Sequence, residues 1–302
     1  MLLLILTSRL RPLVRAAIDV DYVHGEPATS YLQEALRHGV HAISANKGPV
    51  VHHRAALLSM ATSSGVRYLH ESAVMDGVPI FSTWRGGFLP GGARLTKFRG
   101  CLNSTSSVVL SGMEGGQSMA EALKVAQDAG IAEADPSGDL RGMDAAVKVV
   151  ALAVAFELGA EPPPRPSATD FGAASASMAA AATTTTTTTT TSPALALSDV
   201  AISGIEHTTP AEVAEAKAAG RKLRLVGGAE VDASSGRVSG YVRVESLAPG
   251  DPLYGLEGAD AAVQLFTDRL APVTIVQSGS VVEDTAFGQY ADMLRAARPM
   301  GV

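Results

Sequence analysis

The segment "GIAEADPSGDLRGMDAAVKVVALAVA" (130–155) gathers Glu133, Asp135, Asp139, Asp144 and Lys148 within sixteen residues. Asp144 and Lys148 are four apart, so on a helix both project from one side, a turn apart. Val147, Val149, Val150 and Leu152 stand around them and leave little wet surface. Burial drives a lysine toward its neutral form, and a buried ammonium is costly unless paired. A lysine held this way by a carboxylate suits proton transfer near neutral pH. The acids that precede it lie on a loop and a first turn, where they can receive a charged amine or orient the lysine. Spacing alone leaves a second reading open: an exposed i,i+4 ion pair, worth about a few tenths of a kcal/mol.

Side chains of this kind need rigid elements to hold them. "LVRAAIDVDY" (13–22) reads as a buried strand ending in acids, and "PATSYLQEALRHG" (27–39) as a helix stopped by Gly39. "VHAISANKG" (40–48) reads as a strand running into a turn. "VVHHRAALLSMATSSG" (50–65) reads as a helix and "VRYLHESAV" (66–74) as a strand. That alternation predicts parallel α/β units. Further on, "RGGFLPGG" (85–92) reads as loop, "ARLTKFRGCL" (93–102) as strand, and "MAEALKVAQDAG" (119–130) as an amphipathic helix. The lysine-bearing helix is expected over 144–158, and a mixed sheet over 93–110 and 200–280 with helices 119–130 and 144–158 packed on it.

Residues 160–195 contain an unbroken threonine run, Thr183 to Thr191, and offer no apolar burial to offset ordering, so a disordered insertion is expected there. Residues 200–232 predict a helix followed by a strand, 236–256 strand and turn, 271–279 a strand and 285–297 a closing helix. His52 and His53 are adjacent, hence point apart on a helix, and are read as structural rather than metal-binding.

Of the 302 residues 46% are apolar and 18% charged, which fits a globular protein of one large or two medium domains. The net charge of -6 argues against a nucleic-acid partner, because phosphate-backbone binding draws on basic stripes. One cysteine, Cys101, rules out a disulfide framework. The opening "MLLLILTSRLRPLVRAA" bears three arginines and a weak likeness to a transit peptide, but its apolar run is too short for a signal-peptide core or a membrane span. No membrane association is expected. The cytosol is the default compartment, with a plastid the alternative if the N-terminus is incomplete.

Residues 130–153 resemble the signature of homoserine dehydrogenase, roughly G-x-x-E-x-D-P-x-x-D-x-x-G-x-D-x-x-x-K. Further blocks are similar to that family in its own order: "HAISANKGPV" (41–50), "HESAVMDGVPIFS" (70–82), "RGCLNSTSSVVLSGM" (99–113), "SGIEHTTPAEVAEAKAAGRKLRLVGGAE" (203–230) and "DTAFGQYADMLR" (284–295). The resemblance implies an α/β fold: a partial Rossmann-like nucleotide-binding domain over 1–84, then an α+β catalytic and dimerisation domain with a mixed sheet over 85–280. Residues 281–302 would form a C-terminal helix returning to the first domain. It implies interconversion of L-homoserine and L-aspartate 4-semialdehyde with NAD or NADP, on the route to threonine, methionine and isoleucine. Carried over by position, Lys148 would be the general acid/base and Lys47 would hold substrate and reach the cofactor. Glu133, Asp139 and Asp144 would take the substrate ammonium, and Ser104 and Thr105 would lie near its carboxylate. Gly130 and Gly279 would approach the cofactor. A structural monovalent cation, usually sodium, would sit at Glu71, Val74, Asp76 and Val78. The family's pairing through its sheets implies a homodimer.

The family's front domain opens with a Gly-rich strand–turn–helix that cradles pyrophosphate. No such unit occurs in these residues. "GGFLPGG" (86–92) and "SGMEGG" (111–116) do not sit between a strand and a helix and read as loops. Ser104 and Val281 stand where relatives carry glycine. A dehydrogenase lacking part of its front domain is therefore expected to turn over slowly; a non-catalytic binding or dimerisation partner and an inactive fragment are the alternatives.

Overall fold

The computed structural model describes residues 2–5, 13–16, 25–160 and 195–298. The disordered insertion expected at 160–195 lies, from 161 to 194, outside the described residues, as do residues 17–22 of the first expected strand.

The front of the chain forms a four-stranded sheet in the order β1 (Leu2–Ile5), β2 (Leu13–Ala16), β3 (His41–Ser44) and β4 (Tyr68–Leu69). β1 runs antiparallel to β2; β2, β3 and β4 are parallel. Helices α1 (Ala28–Arg37) and α2 (Lys47–Ser63) make the crossovers expected from the alternation. Every residue of β3 is buried, as a parallel strand covered on both faces requires. Leu32 and Leu36 of α1, four apart, pack with Leu57 and Ala61 of α2 on Ala42 and Tyr68.

The strand expected over 66–74 shrinks to two residues. Its continuation folds into a 3₁₀ turn, Glu71–Ala73, because the Glu71 carboxylate accepts hydrogen bonds from the backbone of the next helix, α3 (Ile80–Thr83). The loop expected over 85–92 is also replaced: α3 runs into a π-helical turn (Trp84–Phe88) and a 3₁₀ turn (Leu89–Gly91). Trp84 and Phe88 are buried and stacked at 5.6 Å, so aromatic burial overrides the two glycines between them.

The second sheet has six strands in the order β10 (Val273–Gln277), β9 (Ala261–Thr267), β5 (Leu95–Cys101), β7 (Lys222–Val231), β8 (Val238–Leu247) and β6 (Val200–Ile202). β6 pairs with β8 in parallel and the other pairs are antiparallel, giving the mixed sheet expected. The main core joins α4 (Ser104–Glu114), α7 (Met143–Ala155) and α8 (Pro210–Ala218) to β7 and β8. α5 (Met119–Asp128) packs on α4 rather than on the sheet, and a single-turn helix, α6 (Ser137–Leu140), precedes α7. Two expectations are corrected here: the sheet expected around 93–110 ends at Cys101, where the chain turns into α4, and helix 119–130 packs on α4 instead of on the sheet. β9 fills a stretch of the 200–280 sheet for which no separate element was expected. The closing helix is α9 (Val282–Ala297). Among the described residues no helix is long and apolar enough to cross a membrane.

Candidate active site

Three element ends meet in one place. β5 ends at Cys101, and Leu102 and Asn103 lead into α4. β3 ends at Ser44, and Asn46 precedes Lys47, the first residue of α2. Gly142, at φ +80°, turns the chain into α7; Val242 lies 3.0 Å from where a Cβ would sit, so both conformation and space favour glycine. Asp144 thereby falls in the first turn of α7, where the helix dipole favours a carboxylate.

Asp144 Oδ1 pairs with Lys47 Nζ at 2.9 Å and Oδ2 with Lys148 Nζ at 3.1 Å. Lys148 Nζ also donates to the Leu102 carbonyl at 2.7 Å. The side chains of Asp144, Lys148 and Lys47 are 19, 17 and 24% exposed, so the surface-pair reading left open by spacing does not describe them. Burial alone would push the Asp144 carboxyl up. The Lys148 and Lys47 charges outweigh it and, with hydrogen bonds from Asn103 and Lys47, hold the carboxyl well below the usual range.

Asn103, not singled out in the sequence, ties the cluster together. Its Nδ2 donates to Asp139 Oδ1 (2.7 Å) and Asp144 Oδ2 (2.9 Å), while Oδ1 accepts from Ser106 N (2.8 Å) and caps α4. Both amide protons and the carbonyl are used, which fixes the amide's orientation. An Asn between a strand and "STSS" is an N-cap pattern and was the available signal.

Of the other expected residues, Thr105 is buried, with Oγ1 donating to the Ile131 carbonyl at 3.3 Å, and Ser104 opens α4 beside it. That bond brings the Gly130–Ile131 turn to the cluster; Gly130 has φ +70° and open space where a Cβ would be. Gly279 also has φ +68° and open space, and follows Gln277, which pairs with Ala261 beside the Ala262–Cys101 pair. It therefore lies at the same end of the sheet as Asn103. Glu133 is exposed; its carbonyl accepts from Gln127, and no hydrogen bond or ion pair ties its carboxylate to the cluster. His52 and His53 have ring centroids 6.1 Å apart, and no group of three metal-ligating side chains occurs among the described residues.

A nicotinamide dinucleotide fits the described residues at one end. The Asn46 Nδ2 is buried with no hydrogen-bond partner, and the Asn46 side chain makes no capping bond to the backbone of α2. An orphaned amide next to Lys47 suits a polar ligand edge. Of the places expected to hold a monovalent cation, the Glu71 side chain and the carbonyls of Val74, Asp76 and Val78, the Glu71 carboxylate has no acceptor position left. It is saturated by backbone, hydroxyl and guanidinium donors, and the Val78 carbonyl accepts from Ile80 N (2.8 Å).

The fold is therefore an α/β scaffold in which the ends of β3 and β5 and the start of α7 bring a buried lysine–carboxylate cluster together. A sequence model of the homoserine dehydrogenase family matches residues 79–164 and 175–294. The NAD(+)-dependent homoserine dehydrogenase of Pseudomonas canavaninivorans is 30% identical over 282 residues, which are 93% of this chain and 70% of that protein. The homoserine dehydrogenase of Sulfurisphaera tokodaii is 29% identical, with 93% of this chain and 75% of that protein covered. A solved homoserine dehydrogenase from Thiobacillus denitrificans superposes with a TM-score of 0.71 at 26% identity, over 95% of this chain and 56% of that one. The chain belongs to the homoserine dehydrogenase family. It spans between about half and three quarters of the length of these relatives.

Proposed function

We propose that the Asp144 cluster interconverts L-homoserine and L-aspartate 4-semialdehyde with NAD or NADP. The observation that supports this most is one buried carboxylate shared by two lysines and an asparagine that also holds a second carboxylate. In reduction, Lys148 gives a proton to the carbonyl oxygen as it becomes an alkoxide; in oxidation it takes the hydroxyl proton. Asp144 and the Leu102 carbonyl fix the lysine's position, and Lys47 holds the substrate oxygen from the opposite side. Asp139 and Glu133 receive the substrate ammonium. Ser104 and Thr105, in the first turn of α4, meet its carboxylate at the positive end of a helix. Asn46, Lys47, Gly130 and Gly279 hold the nicotinamide end of the cofactor, which when bound carries the hydride.

The division into a nucleotide-binding part (1–84), a catalytic part (85–280) and a returning helix (281–302) is part of the same proposal. So is a homodimer through the sheet face opposite the helices, where Lys97, Arg99, Tyr241, Arg243, Gln264 and Phe266 form an open groove. Sedimentation showing a stable monomer at micromolar concentration rejects the dimer. The catalytic reading is tested by steady-state oxidation of L-homoserine with each cofactor, alongside thermal stabilisation of the chain by L-homoserine. Absence of stabilisation by L-homoserine, relative to L-serine, rejects the substrate.

A further inference from the structure

The turn after β4 and the last helix are joined by a compact group of charges. Glu71 and Asp292 are each 1% exposed. Glu71 Oε1 accepts from Phe81 N (2.7 Å) and Ser82 N (3.1 Å); Oε2 accepts from Ser82 Oγ and from Arg295 Nη1 at 3.0 Å, with Arg85 Nη2 at 3.7 Å. The same Arg295 Nη1 donates to Asp292 Oδ1 (3.0 Å), and Asp292 Oδ2 accepts from Glu71 N (2.9 Å). Backbone contact reinforces the joint: a Cβ on Gly288 would lie 2.8 Å from Gly77 Cα.

Two counts decide what this group can hold. A carboxylate offers about four acceptor positions, and Glu71 has filled them with two amides, a hydroxyl and a guanidinium. At Glu71 and Asp292 two buried carboxylates face the guanidiniums of Arg295 and Arg85, so that pair keeps no net negative charge to offset the dehydration of a further cation, while the Asp76 carboxylate is turned to the Ser280 and Thr285 hydroxyls. Of the carbonyls expected to complete a cation's shell, that of Val78 is engaged by Ile80 N.

We propose that the Arg295 guanidinium stands in for the monovalent cation beside Glu71, so that the 71–82 turn and α9 are clasped by an ion-pair network indifferent to sodium and potassium. A tethered charge on α9 does what a diffusible ion would otherwise do: it neutralises Glu71 and binds the terminal helix to the turn. The coupling is supplied by the chain and cannot be withdrawn by dialysis.

The test needs no catalytic turnover. Thermal unfolding of the full chain is followed in sodium, potassium and choline chloride at equal ionic strength, so that screening is common to all three. The unmutated chain is expected to unfold at the same temperature in each. Arg295→Met is expected to unfold at a lower temperature and to gain a saturable stabilisation by sodium or potassium over choline, as binding to the folded state alone requires. Arg295→Lys, which keeps the charge, is expected to remain indifferent. Selective stabilisation of the unmutated chain by sodium or potassium overturns the proposal, and so does an Arg295→Met chain that folds without gaining a cation response. Should Arg295→Met not fold, sodium nuclear relaxation with the unmutated chain decides: broadening relieved by excess potassium but not by choline overturns the proposal, and its absence supports it.

Discussion

Replacing Asp144 by Asn keeps the shape of the site and removes the one charge that two lysines share. Lys148 and Lys47 are 17 and 24% exposed, so neither is rescued fully by solvent. Removing one partner of a buried pair costs about 3–5 kcal/mol. The residual exposure puts this site at the lower bound, about 3 kcal/mol. For a domain of 150–250 residues, each kcal/mol moves the unfolding temperature by about 2–4 °C, so a fall of about 6–12 °C is expected. Asp144→Asn combined with Lys148→Met leaves one ammonium deprived of the Asp144 carboxylate instead of two and should recover part of that loss. The effect has a defined pH dependence. A carboxyl whose folded value is depressed contributes fully above its unfolded value, roughly pH 4, and loses that contribution as pH falls through the folded value. The gap between the unmutated chain and Asp144→Asn should therefore be flat from about pH 5 upward and narrow below about pH 4. Thermal unfolding and urea midpoints across pH measure it. A gap under about 0.5 kcal/mol at neutral pH, the range of ordinary surface substitutions, would refute the buried-pair account.

Further outcomes are expected. Lys148→Ala should lower homoserine turnover by at least about a hundredfold, and Lys148→Arg should restore little, because a guanidinium does not release its proton near neutral pH; near-normal turnover in Lys148→Ala removes the lysine from the mechanism. Asn103→Asp retains the α4 cap but sets a third carboxylate where 2.7 and 2.9 Å hydrogen bonds now reach Asp139 and Asp144. It should be less stable than Asn103→Ala at neutral pH, converging on it in acid, as urea midpoints will show. His70 is fully buried between Tyr68 and Phe81 with both ring nitrogens unpartnered, and burial holds its pKa well below the ordinary value. Its folded value lies below its unfolded one, so the unfolded chain binds the extra proton and stability falls as pH drops below about 6.5, by up to about 1.4 kcal/mol per pH unit. His70→Phe should flatten that slope, and an unchanged slope assigns it elsewhere. Gly288→Ala should lower the unfolding temperature and speed amide exchange in the 71–77 turn.

Much of the scaffold was legible because its signals are local. The α1, β3, α2 sequence shows strand and helix periods in clean alternation, and α5 begins with Ser118 and Glu121 in a reciprocal cap. Two of the misreadings share another cause. "STSSVVLSGM", most of which falls inside the sheet expected around 93–110, carries β-branched residues suited to a strand, but Asn103 Oδ1 captures Ser106 N and starts a helix instead. "VRYLHESAV" loses its strand because Glu71 bonds to residues 81 and 82, a partner ten positions away that no window on the strand contains. In each case one polar side chain redirected the backbone.

The site was legible to the same extent and for the same reason. Asp144 and Lys148 share a helix face, so their pairing follows from spacing, whereas Lys47 enters from α2, nearly a hundred residues away in sequence. Only the fold shows that Asp144 serves both. That sharing gives the lysines different constraints. Lys148 is held by Asp144 and by the Leu102 carbonyl on the end of β5, so its nitrogen is fixed to the sheet. Lys47 stands at the start of α2, and its ion pair with Asp144 ties that helix to α7. Asp144 therefore joins the start of α2, beside the front sheet, to a lysine anchored past the end of β5, so the carboxylate that orients Lys148 is itself held by Lys47, and loosening either helix disturbs both ion pairs.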